Sequence, residues 1–133
     1  MWMLVRQECA IMIDEIYDYS SYIIEIAQAI LEHTKGLNAE QVEQMEIVHR
    51  RAVDFITEFI EAQERELERF RSYLNHDALT PLSIVIGYTE LLLMNASGDL
   101  GDPYREAVQQ IRDNGYVLRD LVREFHEFVL QFV

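Results

Sequence analysis

His76 and Asp77 stand side by side, with Thr80 one turn further on and Pro81 immediately after it. An imidazole is neutral enough at pH 7 to attack as a nucleophile and still leave readily, so His76 is the side chain around which chemistry can be built. Helix formers and apolar residues at helical spacing flank the stretch on both sides, which predicts a helical His76. Pro81 then falls inside the helix and has no N–H for the carbonyl of Asp77, four residues back. The expected result is a bend and one unpaired carbonyl beside the histidine, with proline costing about 3 kcal/mol in a helix interior. Spacing alone fits a kinked core helix with a surface histidine equally well.

Residue identities narrow this. Asn75-His76-Asp77-Ala78-Leu79-Thr80-Pro81-Leu82, followed by Ile86-Gly87-Tyr88-Thr89-Glu90-Leu91-Leu92, resembles the phospho-acceptor box of sensor histidine kinases. The resemblance extends from roughly Arg65 to Phe128. Ala78 stands where that family usually has Leu, and Leu79 where it usually has Arg, Lys or Asn. The resemblance implies that His76 takes a phosphoryl group, with Asp77 orienting or deprotonating the ring. It also implies that Thr80 holds a water in line with an aspartyl phosphate on a partner, and that the bend at Pro81 aims His76. The implied partner is a response-regulator receiver domain, with a histidine kinase as a further candidate. No cofactor belongs to the chain itself; any Mg2+ would sit on the receiver. The family's kinase activity resides in a separate ATP-binding domain, for which no room remains before Val133, so ATP-dependent autophosphorylation is not expected from this chain alone. The leading expectation is a stand-alone histidine phosphotransfer or response-regulator phosphatase module. The alternative is a non-catalytic dimeric adaptor that binds and regulates a kinase or regulator.

Composition agrees with a helical protein. Among 133 residues there are 5 glycines and 2 prolines, with half of the chain hydrophobic. A net charge of −13 argues against docking on a phosphate backbone or an anionic bilayer. Cys9 is the only cysteine, so neither an intrachain disulfide nor a thiolate metal cluster can form. There is no basic region ahead of Met1-Trp2-Met3-Leu4, and no uncharged run nears the ~18 residues of a membrane span. A cytoplasmic protein is expected. Glu46-Ile47-Val48-His49 is one Glu-x-x-His unit without a second, short of what a di-iron bundle needs, so no metal is expected. His33 flanks a helix end, and His126 lies between Phe125 and Phe128 as a packing residue.

The elements that position His76 can be read in order. Val5, Cys9, Met12, Ile16, Tyr19, Ile23, Ile26 and Ile30 form a seam ending at Lys35-Gly36. Asn38 with Gln41 forms a capping box for the next helix. A single heptad register then runs through His49, Val53, Ile56, Ile60, Gln63, Leu67, Phe70, Leu74, Ala78, Pro81, Val85, Tyr88 and Leu92. With no Gly, Pro, Asn or Ser between Glu61 and Arg69, this predicts one helix from Ala39 to Met94, roughly 80 Å long. Asn95 to Asp102 is a turn, with Asp102-Pro103 as N-cap and first helical residue. The last seam is Tyr104, Val108, Ile111, Gly115, Leu118, Val122, Phe125, Val129 and Phe132.

The expected fold is therefore all-α, with antiparallel hairpins at 1–64 and 65–133 forming four-helix bundles through homodimerisation around the long helix. The competing arrangement is a monomer whose chain breaks near Glu64 to Arg69, letting the two hairpins close one pseudo-dimeric bundle. The hairpins also align with each other, Asp14 opposite His76, which fits a decayed duplication and generic heptad similarity alike.

Overall fold

The computed structural model describes residues 2–132; Met1 and Val133, the outermost residues of the two hairpins, lie outside it. Six helices and no strand are present among the described residues: α1 Trp2–Glu8, α2 Ala10–Glu32, α3 Ala39–Ala62, α4 Leu67–His76, α5 Leu79–Leu93 and α6 Asp102–Leu130. At Cys9 the hydrogen-bond ladder carries on, Cys9 N–H to the Val5 carbonyl and Ile13 N–H to that of Cys9 at 2.9 Å each. α1 and α2 thus form one nearly continuous arm. Burial raises the Cys9 thiol to about 11, with Glu8 adding to the effect, so the sulfur is a packing group.

The helix predicted from Ala39 to Met94 is interrupted twice. The first interruption reverses the chain between Ala62 and Leu67, with tight bonds from Glu64 N–H to the Glu61 carbonyl and from Arg65 N–H to that of Ala62. The second lies at Asp77 and Ala78. The reversal overrides a strongly helix-forming segment because of what it brings together. Tyr17 of α2, Phe70 of α4 and Phe125 of α6 each meet Phe59 of α3 edge-on, with ring centroids 6.0 Å apart. One aromatic layer thus draws on all four arms of the bundle. Phe59, Phe70 and Phe125 are fully buried, and burying such a ring is worth about 1.5–3 kcal/mol. Tertiary gain of that size exceeds a few tenths of a kcal/mol per residue in propensity.

α2 packs on α3 and α6, and α5 packs on the same two, so the chain runs up, down, up and down around a single core. Within one chain the two hairpins close a four-helix bundle, the competing arrangement with its break near Glu64 to Arg69. A short linker presents the second hairpin to the first at high effective concentration, so a bundle can close without a second copy. The α3 face shows the register change. Its buried residues include Val48, Ala52, Phe55 and Phe59, one position ahead of the predicted His49, Val53, Ile56 and Ile60. Ile60 itself is half exposed. Carrying one register through an uninterrupted helix forced that offset. In α6, where nothing interrupts the pattern, the buried set Val108, Ile111, Gly115, Leu118, Val122, Phe125 and Val129 coincides with the predicted seam.

The two hairpin turns meet at the far end. Asn38 accepts from Gln41 N–H at 2.8 Å while the Gln41 side chain accepts from Asn38 N–H at 2.9 Å, the predicted capping box. The same Gln41 amide donates to the carbonyls of Gly98 and Asp99 at 3.2 Å each, and Asn38 donates to that of Ser97 at 2.7 Å. Asp102 is the first helical residue of α6 and Gly101 its N-cap, one residue earlier than expected.

Candidate functional site

His76 is the last residue of α4, and the chain beyond it makes a wide turn. The Tyr73 carbonyl accepts from Asp77 N–H at 2.9 Å and from Ala78 N–H at 3.0 Å. The second bond spans five residues, a single π-type turn of the kind found at functional sites. Thr80 N–H then reaches the Asp77 carbonyl at 3.3 Å. The carbonyl expected to go unpaired is therefore satisfied by the residue before the proline. Pro81 is the third residue of α5, within the first turn, where backbone N–H groups have no intrahelical acceptor. The interruption precedes the proline, and the interior-helix cost does not apply.

The break separates the predicted residues into two settings. His76 is exposed, and its Nε2 lies 3.3 Å from the Asn75 side-chain amide. Asp77 and Thr80, exposed as well, and the buried Pro81 line a groove of about 390 Å³ between α3 and the α4–α5 junction. Asp77 makes no hydrogen bond to the His76 ring among the described residues. Ala78 is fully buried and Leu79 packs partly buried against the core, so both departures from the family pattern face inward.

The opposite wall of the groove consists of Arg51, Asp54 and Glu58 of α3, with Arg65 and Tyr73 at one end. None of these was expected from the sequence, because α3 was read as running on into the acceptor helix instead of folding back beside it. The signal was present: Arg51, Asp54 and Glu58 recur at intervals of three and four on the face away from the buried stripe. Arg51 pairs with Asp54 at 3.3 Å. Burial pushes the Glu58 carboxyl up, and Asp54, Asp77 and Glu61 push it further, against the pull of Arg51. Burial likewise raises the Tyr73 phenol, with Glu58 adding, Arg65 opposing and Asp77 adding. The Arg65 guanidinium lies 5.8 Å from the centre of the Tyr73 ring.

On the other side of α4, the Phe70–Phe125 contact at 5.6 Å sets the next residues, Arg71 and His126, at the α4–α6 boundary. Burial lowers the basicity of His126, and the positive charge of Arg71 and then His76 lowers it further, with Glu127 opposing. His126 therefore lies within electrostatic reach of His76, in addition to the packing expected of it. His33 is the C-cap of α2, and its backbone carbonyl, not its ring, accepts from the Tyr104 hydroxyl at 2.6 Å.

Residues 66–129, which make up this helical hairpin, match the family model HisKA, the His Kinase A (phospho-acceptor) domain. The match supports a HisKA-like dimerisation and phosphotransfer domain in the second hairpin and, with it, a role in two-component signalling. No curated protein and no solved structure matches the chain. No helix is long and apolar enough to cross a membrane among the described residues.

Proposed function

We propose that this chain is a histidine phosphotransfer or response-regulator phosphatase module of the cytoplasm, acting through His76 on a receiver domain. The observation that carries the reading is the exposure of His76 at a built helix break, with Asp77 and Thr80 turned into an adjoining groove. In transfer, the imidazole nitrogen attacks the phosphorus of the receiver's aspartyl phosphate. The P–O bond to the carboxylate breaks, the carboxylate leaves, and the ring sheds its remaining N–H proton to solvent. The Asn75 side-chain amide lies 3.3 Å from Nε2 and has to give way when the lone pair of that nitrogen attacks. In the phosphatase direction, Thr80 holds a water in line with the phosphorus, a task of positioning more than covalent help. Mg2+ bound by the receiver would offset phosphoryl charge there.

The adaptor reading draws on a different observation, the turning of Asp77 away from the His76 ring. The two separate with a receiver labelled at its aspartyl phosphate. Label should appear on the parent as acid-labile phosphohistidine or be released as inorganic phosphate, and His76→Ala should abolish transfer. Thr80→Ala should slow release while sparing transfer. If His76→Ala keeps binding the receiver and the parent neither takes nor releases label, the adaptor reading replaces the catalytic one.

A further inference from the structure

The groove beside Asp77 is left with polar groups that nothing in the fold satisfies. Tyr73 is 3% exposed, and its hydroxyl is buried with no hydrogen-bond partner among the described residues. A buried polar group without a partner costs about 1–3 kcal/mol, so this hydroxyl is a standing deficit at the groove floor. Two carboxylates surround it, Glu58 from α3 and Asp77 from the break, and neither forms an ion pair among the described residues. Of the two basic residues present, Arg51 pairs with Asp54 through Nη1 and leaves its buried Nε without a hydrogen-bond partner among the described residues, and Arg65 lies over the Tyr73 ring.

We propose that this groove is a receptor for one basic side chain of the docking protein, an ammonium or guanidinium that donates to Glu58, Asp77 and the Tyr73 hydroxyl oxygen. Tyr73 in turn donates its own O–H to one of the carboxylates. At the end of the groove formed by Glu58, Tyr73 and Asp77 a cation fits where an anion does not, because an anion there would meet three carboxylates, that of Asp54 included. The alkyl stem of a lysine or arginine has Pro81 and Ile84 to lie against. Burial raises the phenol first, and the charges of Glu58 and Asp77 add to it against Arg65. Asp77 adjoins His76, so the same contact fixes the docking protein beside the acceptor. The identity of the docking protein rests on the phospho-acceptor reading; the receptor for a cation does not.

The test uses the full chain, labelled with 15N and 13C, and three small probes: N-acetyl-lysine methylamide, its arginine counterpart, and N-acetyl-norleucine methylamide, which keeps the stem without the charge. Saturable shifts at Glu58, Tyr73 and Asp77 are expected for the charged probes, with a dissociation constant on the order of millimolar for so small a ligand. Glu58→Gln and Tyr73→Phe, both conservative in shape, should each weaken binding about tenfold, and added salt should weaken it in the parent. The lysine and arginine arms show which head group is preferred. No saturable shift, equal shifts with norleucine, or unaltered binding in both variants overturns the proposal. Phosphoramidate labelling of His76 in the parent reports on the other reading separately. Label without cation binding sinks the receptor alone, and cation binding without label sinks the phospho-acceptor reading alone.

Discussion

The two hairpins occupy equivalent places around the core and differ in what their first arms carry. In the second, α4 breaks at Asp77 and Ala78, His76 stands at the break, and Thr80 and Pro81 begin the next helix. In the first, α2 passes through the aligned position without interruption, Asp14 in place of His76, Asp18 in place of Thr80 and Tyr19 in place of Pro81. Packing needs alone therefore do not create the break, since α2 meets the same two neighbours, α3 and α6, as one straight helix. The first hairpin supplies instead a wall, through Arg51, Asp54 and Glu58, and half of the aromatic layer. One hairpin carries the acceptor, and the other holds it in shape and completes its groove.

The strongest way to break that division is at Phe59, the ring on which all four arms converge. Phe59→Ala should cost about 3–5 kcal/mol, and denaturation followed by hydrogen exchange should show both hairpins losing protection together. Loss confined to the first hairpin would mean that the halves are separate folding units. The glycines give a smaller and opposed pair of effects. A Cβ at Gly115 would sit 3.0 Å from Cγ1 of Ile86, whereas one at Gly87 would meet nothing within 4 Å. Gly87→Ala should therefore gain close to the full helix-propensity increment of about 1 kcal/mol. Gly115→Ala should lose about 1 kcal/mol net, because overpacking costs ~1–3 kcal/mol; thermal melts compare them directly.

Acid provides a third comparison. His126 has its folded-state pKa held below 6.5 by burial, Arg71 and His76, against Glu127. The unfolded chain therefore takes up the proton first, so stability present above pH 6.5 should fall as the pH drops from there towards the folded pKa. His126→Gln should flatten that portion of the melting-temperature profile, and an unchanged slope would assign it to other groups. The smallest effect on stability is expected from Asp14→His, at an exposed site of the unbroken helix, within about 0.5 kcal/mol of the parent. It should take no label from phosphoramidate at residue 14 while His76 does. Equal labelling of both would show that an exposed histidine suffices and that the break has no role in acceptance.

Where the sequence was legible, the local signals were unopposed. The α6 seam, the capping box of Asn38 and Gln41, and the Gly98 turn at φ +123° each follow from residues within a few positions of one another. The turn at residues 63–66 was legible only as the competing arrangement with a break near Glu64 to Arg69, because nothing between Glu61 and Arg69 opposes a helix; only Phe59 meeting Phe70 favours the reversal, and that contact exists only once the chain has turned. The same blindness shifted the α3 seam by a residue and hid the groove wall. The site residues were legible by type and not by arrangement: the π-type turn carries no breaker of its own, and Pro81 marked it from three residues downstream.

The reversal between Ala62 and Leu67 also determines what the protein would become without it. Cleaving the chain there leaves two hairpins whose shared core is open on one side, and their union becomes a matter of concentration. The fragment 65–133 could then pair either with the acidic first hairpin or with a second copy of itself. Choosing the copy would put two copies of His76 in one bundle, so the linker sets a count: the bundle that one whole chain closes holds one His76, and on the function proposed above it would carry at most one phosphoryl group there.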